Sequence, residues 1–131
     1  MPTPAFDRVP AAPNEDPDNK PFFDAAREGK LLLGLCKDTG KHFFYPRGVS
    51  PYTLSSNVEF VESKGVGEIY SWSVQRGKEP YCLAYVTLTE GVTIMTNIVD
   101  TDLDAVKVGQ KVKLVFKPTN GGAPVPMFTP A

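Results

Sequence analysis

Four segments in the second half of the chain alternate apolar and polar residues with a period of two. "EIYSWSV" sends Tyr70, Trp72 and Val74 to one side and Ser71 and Ser73 to the other, and "LAYVTL" aligns Ala84, Val86 and Leu88. "VTIMTNIV" aligns Val92, Ile94, Thr96 and Ile98, and "KVKLVF" sets Val112, Leu114 and Phe116 against Lys111, Lys113 and Lys117. Successive side chains of a strand point to opposite faces, so each segment reads as a strand with one dry and one wet face, as in antiparallel sheets. The connections agree. "TEG" at 89–91 is a tight hairpin with Gly91 suited to a left-handed position. "DTDLDAV" at 100–106 is a capped helical turn, and Gly109 marks the bend into the last segment. Counting a first strand around "VEFVES", the order of about five strands with one short helical insertion suits a small Greek-key barrel of the OB type.

The first half reads differently. Residues 1–20 are Pro-rich, polar and aperiodic, and do not bury enough apolar surface to offset their ordering entropy; they are expected to be a tail. "NKPFFDAAREGK" predicts a short helix, with Asn19 at the N-cap, Pro21 in the first turn and Gly29 after the end. Phe22, Phe23 and Ala26 share one face of it, and so short a helix must dock that face to be stable. "LLLGLC" and "HFFYP" read as two short strands around the turn Asp38-Thr39-Gly40. The stretch "CKDTGKHFFYPRGVSPYT" has the two spaced turns of a zinc ribbon, but the four ligand positions read Cys36, Thr39, Ser50 and Thr53.

Composition excludes several classes. Fourteen basic residues balance 15 acidic ones, which argues against a surface built to neutralise phosphates, so nucleic acid is not the expected partner. The start lacks a basic segment followed by an apolar run, and no stretch approaches a membrane span, so no membrane role is expected and the reading is cytoplasmic. Two cysteines, Cys36 and Cys82, make no disulfide framework.

In order, "PFFDAAREGKLLLGLC", "FFYPRGVSP", "GVGEIYSWSV", "AYVTLTEGVTIMTNIV", "VKVGQKVKLVF" and "PMFTP" resemble the small acyl-CoA-associated accessory proteins that join a rubredoxin-like zinc ribbon to an OB-fold. The resemblance implies a mainly β chain: a tail over 1–20, a short helix and metal-free ribbon over 21–56, and a five-stranded OB-fold barrel over 57–131. It places Cys36 at the first zinc ligand, and Thr39, Ser50 and Thr53 where the other three cysteines stand. Gly40 and Pro51 match the residues that follow the second and third ligands. A structural zinc contributes about 10–16 kcal/mol in finger peptides, and one thiol with hydroxyls does not replace tetrahedral thiolate ligation. The expectation is therefore no stoichiometric zinc, with Phe43, Phe44, Tyr45 and Tyr52 supplying packing instead. Aromatic side chains bring about 150–250 Å² of buriable area each.

Cys36 and His42 invite comparison with a catalytic pair, but no orienting partner is in view, and a ligand remnant is the simpler reading. Trp72, Arg76 and Lys78 combine an aromatic with two cations, which is chemistry for an adenine ring with phosphates or for a protein hot spot. The competing reading puts Trp72 in the barrel core and both cations in water. Asn97 interrupts an apolar strand, either facing water or anchoring a ligand or partner. Phe22 and Phe23 would suit draping on a partner. No glycine-rich phosphate loop, carboxylate pair or Ser-His-Asp order is present. The resemblance implies a non-catalytic accessory subunit in lipid metabolism, binding or helping to present acyl-CoA beside a thiolase-like or related acyl-CoA enzyme. A homo-oligomer, a free-standing binder of CoA esters and an OB-fold binder of single-stranded nucleic acid are the alternatives, the last needing a cationic groove.

Overall fold

Proline fixes backbone angles and removes donors, and "PAAPNEDPDNK" leads into the first helix as an arm rather than a strand or helix of its own. The computed structural model describes residues 9–131, and the first eight residues of the expected tail lie outside them. The arm is tied down. Asn120 donates its backbone N–H to the Pro10 carbonyl at 3.0 Å, and Arg27 pairs with Glu15 at 2.7 Å. Asn19 precedes the helix as expected, but its side chain does not cap it. Its carboxamide oxygen instead accepts from Asp16 N at 2.8 Å, and its amide donates to the Asn14 carbonyl at 3.0 Å. Helix α1, Lys20–Arg27, buries Phe22, Phe23, Ala25 and Ala26 and ends at Gly29, whose φ of 79° is left-handed.

Strand β1, Leu32–Cys36, is the centre of a three-stranded antiparallel sheet between β2, Lys41–Phe43, and β3, Val58–Glu62. The turn between β1 and β2 closes with Gly40 N donating to the Cys36 carbonyl at 2.7 Å. The segment "VEFVE" thus belongs to the ribbon and not to the barrel. It pairs residue for residue with β1, from Leu32 opposite Glu62 to Cys36 opposite Val58.

The barrel closes in the order β4-β5-β6-β8-β7, formed by β4 Val66–Gln75, β5 Tyr81–Leu88, β6 Thr93–Ile98, β7 Lys111–Lys117 and β8 Val125–Pro130. This is the OB-type arrangement. The fifth strand is β8, which pairs antiparallel with β7 and meets β6 in parallel at Ile98 and Phe128. Its prolines at 126 and 130 disguise it, since proline reads against a strand interior. The interior is filled by Ile69, Cys82, Ala84, Val86, Leu88, Ile94, Ile98, Val112 and Phe128, and Leu103 of a single 3-10 turn (Leu103–Ala105) is also fully buried. The alternation read for β5 and β6 holds, and that of β7 holds over Lys111–Lys113, beyond which Leu114, Val115, Phe116 and Lys117 are all half-buried. The alternation of β4 fails, because a bulge at Tyr70 shifts the register. Ile69 faces Val86 while Ser71, not Tyr70, faces Tyr85, so Tyr70 leaves the row that Trp72 and Val74 occupy.

Three residues, 63–65, join ribbon to barrel, and Glu90 of the β5–β6 hairpin clasps them. Its carboxylate accepts from Ser63 Oγ at 3.0 Å and Lys64 N at 2.8 Å. Partial burial pushes this carboxyl up, but the Lys64 N–H and the Ser63 hydroxyl outweigh it and hold it below the usual glutamate range. The stabilisation is therefore full above the unfolded-state value and fades as pH falls through the depressed native one. Glu90→Gln is expected to cost about 1 kcal/mol at pH 7, with the gap to the parent closing as pH falls below the usual glutamate range and through the depressed native value. Urea midpoints across that pH range check this.

Candidate functional site

Along β5 two rows alternate. Cys82, Ala84 and Val86 are buried in the barrel, while Tyr81, Leu83 and Tyr85 stand on the outside. Side chains directly opposite on neighbouring strands share a face. Tyr85, 47% exposed, lies between Ser71 of β4 and Met95 of β6, which is 59% exposed. Leu83 lies between Ser73 and Asn97, and Tyr81 opposite Gln75. The bulge adds Tyr70, 69% exposed. The outer face of β4, β5 and β6 is thus an uncharged field of tyrosine, leucine and methionine set among Ser, Thr, Asn and Gln. The first charge is at its margin, where Glu68 pairs with Lys111 of β7. A solvated outer face normally carries charge, as β7 does with Lys111 and Lys113, both exposed. Contiguous exposed apolar patches are found at protein, membrane and ligand contacts more than on freely solvated faces. Reading β5 as half wet missed it. The signal was there, since "YCLAYVTL" is apolar in both registers, the mark of a strand covered on both sides.

The residues singled out in the sequence divide among three places. Phe22 and Phe23 are buried, Phe22 edge-on to Phe23, Phe44 and Tyr45 with centroids 5.0, 5.8 and 5.8 Å apart, so these rings dock the helix internally. Together with Asn97 they border a groove of about 270 Å³ between the arm, α1 and the β6–β8 side of the barrel. Asn97 donates to the Cys82 carbonyl at 3.1 Å. Trp72 lies opposite Ala84 on the barrel-facing row yet is 40% exposed, so it is not plain core. Arg76 pairs with Asp104 at 2.8 Å, anchoring the 3-10 turn, and Lys78 is exposed in the loop before β5.

The four positions that the resemblance matches to zinc ligands do converge. Cys36 and Ser50 are fully buried, and Cys36 Sγ is 4.0 Å from Thr53 Oγ1. Hydrogen bonds from the Ser50 and Thr39 hydroxyls hold the Cys36 thiol down to about 7, against its burial. Ser50 Oγ accepts from Tyr52 N at 3.1 Å and Thr53 N at 3.2 Å. Asp38, read in the sequence only as a turn residue, accepts from Ser55 Oγ at 2.6 Å, Asn57 Nδ2 at 2.8 Å and Thr53 Oγ1 at 3.0 Å, and these donors hold its carboxyl below the usual range. His42 pairs with Leu35 across the β1–β2 ladder and so shares the face of Leu35, opposite to Cys36; the two do not form a pair. A structural zinc calls for four sulfur or nitrogen donors. One thiol and three hydroxyls, with the Thr53 hydroxyl already bonded to Asp38, do not fit it. Of the aromatics expected to compensate, Phe43 is buried against Tyr52 and Phe44 is half-buried against the core, while Tyr45 and Tyr52 are exposed. Hydrogen bonds fill the knuckle alongside this packing.

Residues 23–52 match the rubredoxin-like zinc ribbon domain of ChsH2, and residues 60–117 its C-terminal OB-fold domain. A probable enoyl-CoA hydratase alpha subunit from Thermomonospora curvata is 30% identical over 120 residues, covering 87% of this chain; the chain spans only 38% of that protein's length. A DUF35 domain-containing scaffold protein from Methanocaldococcus jannaschii is 33% identical over 101 residues, covering 70% of this chain and 71% of its own. Among solved structures, the Ltp2-ChsH2(DUF35) aldolase superposes with a TM-score of 0.79 at 29% identity, over 90% of this chain and 98% of the matched one. Ribbon and barrel match in order, and the archaeal relative is matched over most of its length: the chain belongs to the DUF35 family of zinc-ribbon and OB-fold scaffold proteins.

Proposed function

We propose that this chain is a non-catalytic accessory subunit that docks the outer face of β4, β5 and β6 on an acyl-CoA enzyme and helps present the acyl-CoA there. The observation that carries this reading is the uncharged row of Tyr70, Leu83, Tyr85 and Met95, exposed where a solvated sheet would carry charge. Relatives named as scaffold proteins, as a hydratase subunit and as part of an aldolase assembly support an acyl-CoA enzyme as partner. A thiolase-like enzyme of lipid metabolism is the partner class proposed.

The test is capture of the tagged chain from its native cells, with mass identification of the stoichiometric companion. The parent is expected to retain an acyl-CoA enzyme. Tyr85→Asp places a charge at the centre of the row and is expected to weaken capture about tenfold or more while leaving the melting temperature near the parent's. A parent that elutes alone, or a variant that retains the enzyme equally well, would overturn the reading. The groove bordered by Phe22, Phe23 and Asn97 favours a second reading, a free-standing binder of CoA esters. Saturable binding of a CoA ester by a parent that elutes alone would select it.

A further inference from the structure

We propose that the ribbon knuckle of this chain is closed by a carboxylate in place of a metal ion, with Asp38 as the cross-link between its two turns. In a zinc ribbon the ion joins two turns distant in sequence, and removing it frees both. Here the first turn runs through 36–40 and the second through 50–57. Asp38 sits on the first, and its two oxygens accept from three groups of the second: Thr53 Oγ1, Ser55 Oγ and Asn57 Nδ2, at 3.0, 2.6 and 2.8 Å. Bonds to an ionised acceptor are shorter and roughly twice as strong as neutral ones. Within the second turn, Ser55 Oγ accepts from Asn57 N at 3.2 Å and Thr53 Oγ1 from Ser55 N at 3.4 Å, so the donors are themselves held in place.

The former ligand positions serve the same network. Ser50 is buried and its hydroxyl takes the N–H groups of Tyr52 and Thr53, fixing the bend that presents Thr53 to Asp38. Cys36 lies beneath, beside the Ser50, Thr39 and Thr53 hydroxyls. The three hydroxyls at the ligand positions thus divide the work: Thr53 donates to the carboxylate, Ser50 takes the backbone N–H groups of the bend, and Ser50 and Thr39 flank the Cys36 thiol, where thiolates at these positions would repel Asp38. The pattern differs from simple decay of a metal site, in which lost ligands would leave unpaired polar groups. Among the described residues every buried side-chain nitrogen or oxygen has a partner.

The full chain, purified without added metal, tests this. Elemental analysis is expected to find under about 0.1 zinc per chain, and excess chelator is expected to leave the melting temperature unmoved. Asp38→Ala and the near-isosteric Asp38→Asn are both expected to speed amide exchange at Tyr52, Thr53 and Asn57 by about tenfold or more, with β5 amides unchanged. The asparagine variant keeps the test sound if the alanine variant fails to fold. Stoichiometric zinc, melting that depends on chelator, or parental exchange rates in the asparagine variant would each overturn the proposal.

Discussion

Phe22→Ala is expected to destabilise the chain by about 3–5 kcal/mol, the range for emptying a buried aromatic site. Phe22 is 2% exposed and sits edge-on to three rings at once, from α1 itself and from the segment that follows β2. Each such pair adds about 0.5–1.5 kcal/mol beyond the area it buries. The neighbours do not close over the gap easily, because Phe44 and Tyr45 are held by the ribbon and Phe23 by the helix. The effect also propagates. Helix α1 has 8 residues and no side-chain N-cap bond, so it depends on docking for its existence. Loss of the ring should release the helix, and with it the arm that Arg27 holds through Glu15. Chemical denaturation monitored by both far-UV circular dichroism and tryptophan fluorescence checks this. A loss below about 1 kcal/mol would mean that the helix is held by something other than this ring cluster.

Gly34→Ala is expected to cost about 2–3 kcal/mol by overpacking. Gly34 lies at the centre of β1, paired with Phe43 on one side and Phe60 on the other. The far edge of the Phe43 ring covers it, so a Cβ there would fall 2.7 Å from Cε1 and closer still to Cζ and Cε2. Backbone strain plays no part, since Gly34 is not among the glycines with positive φ. The ring has nowhere to go without leaving Tyr52, its edge-on neighbour at 6.4 Å. Coupling follows from this geometry. Phe43→Leu alone should destabilise, yet in the Gly34→Ala background it should recover part of the loss, a non-additivity readable in a double-mutant cycle. Simple additivity would place the conflict elsewhere.

Much of this architecture was legible in the alternation of β5, β6 and β7, because a period of two has one physical meaning when one face is dry. What escaped did so for identifiable reasons. The Tyr70 bulge is a single added residue, and nothing in "EIYSWSV" marks it, so the parity of β4 was read straight through it. "VEFVE" has the pattern of a barrel strand, but its destination is set by pairing with β1, a non-local fact. β8 was hidden by its prolines. At the candidate site, convergence of Cys36, Thr39, Ser50 and Thr53 was readable because turn spacing carries it. The role of Asp38 was not, for it depends on a carboxylate reaching across 15–19 residues to donors that look like ordinary loop residues. The tyrosine and methionine face was readable in principle from an apolar run with no polar register.

The strand order of the barrel has a consequence for how the chain is made. β8 lies between β6 and β7 and is synthesised after both, so the wall cannot close until residues 125–130 are free of the ribosome. The ribbon is complete by Glu62 and can gather its three strands while the barrel is still being translated. Between those moments the nascent chain exposes two open strand edges beside a tyrosine-rich outer face, the kind of surface that binds other chains indiscriminately. The interval is the chain's most vulnerable. Slowing elongation over residues 118–130 would lengthen it, and would be expected to shift newly made protein from the soluble fraction into aggregates.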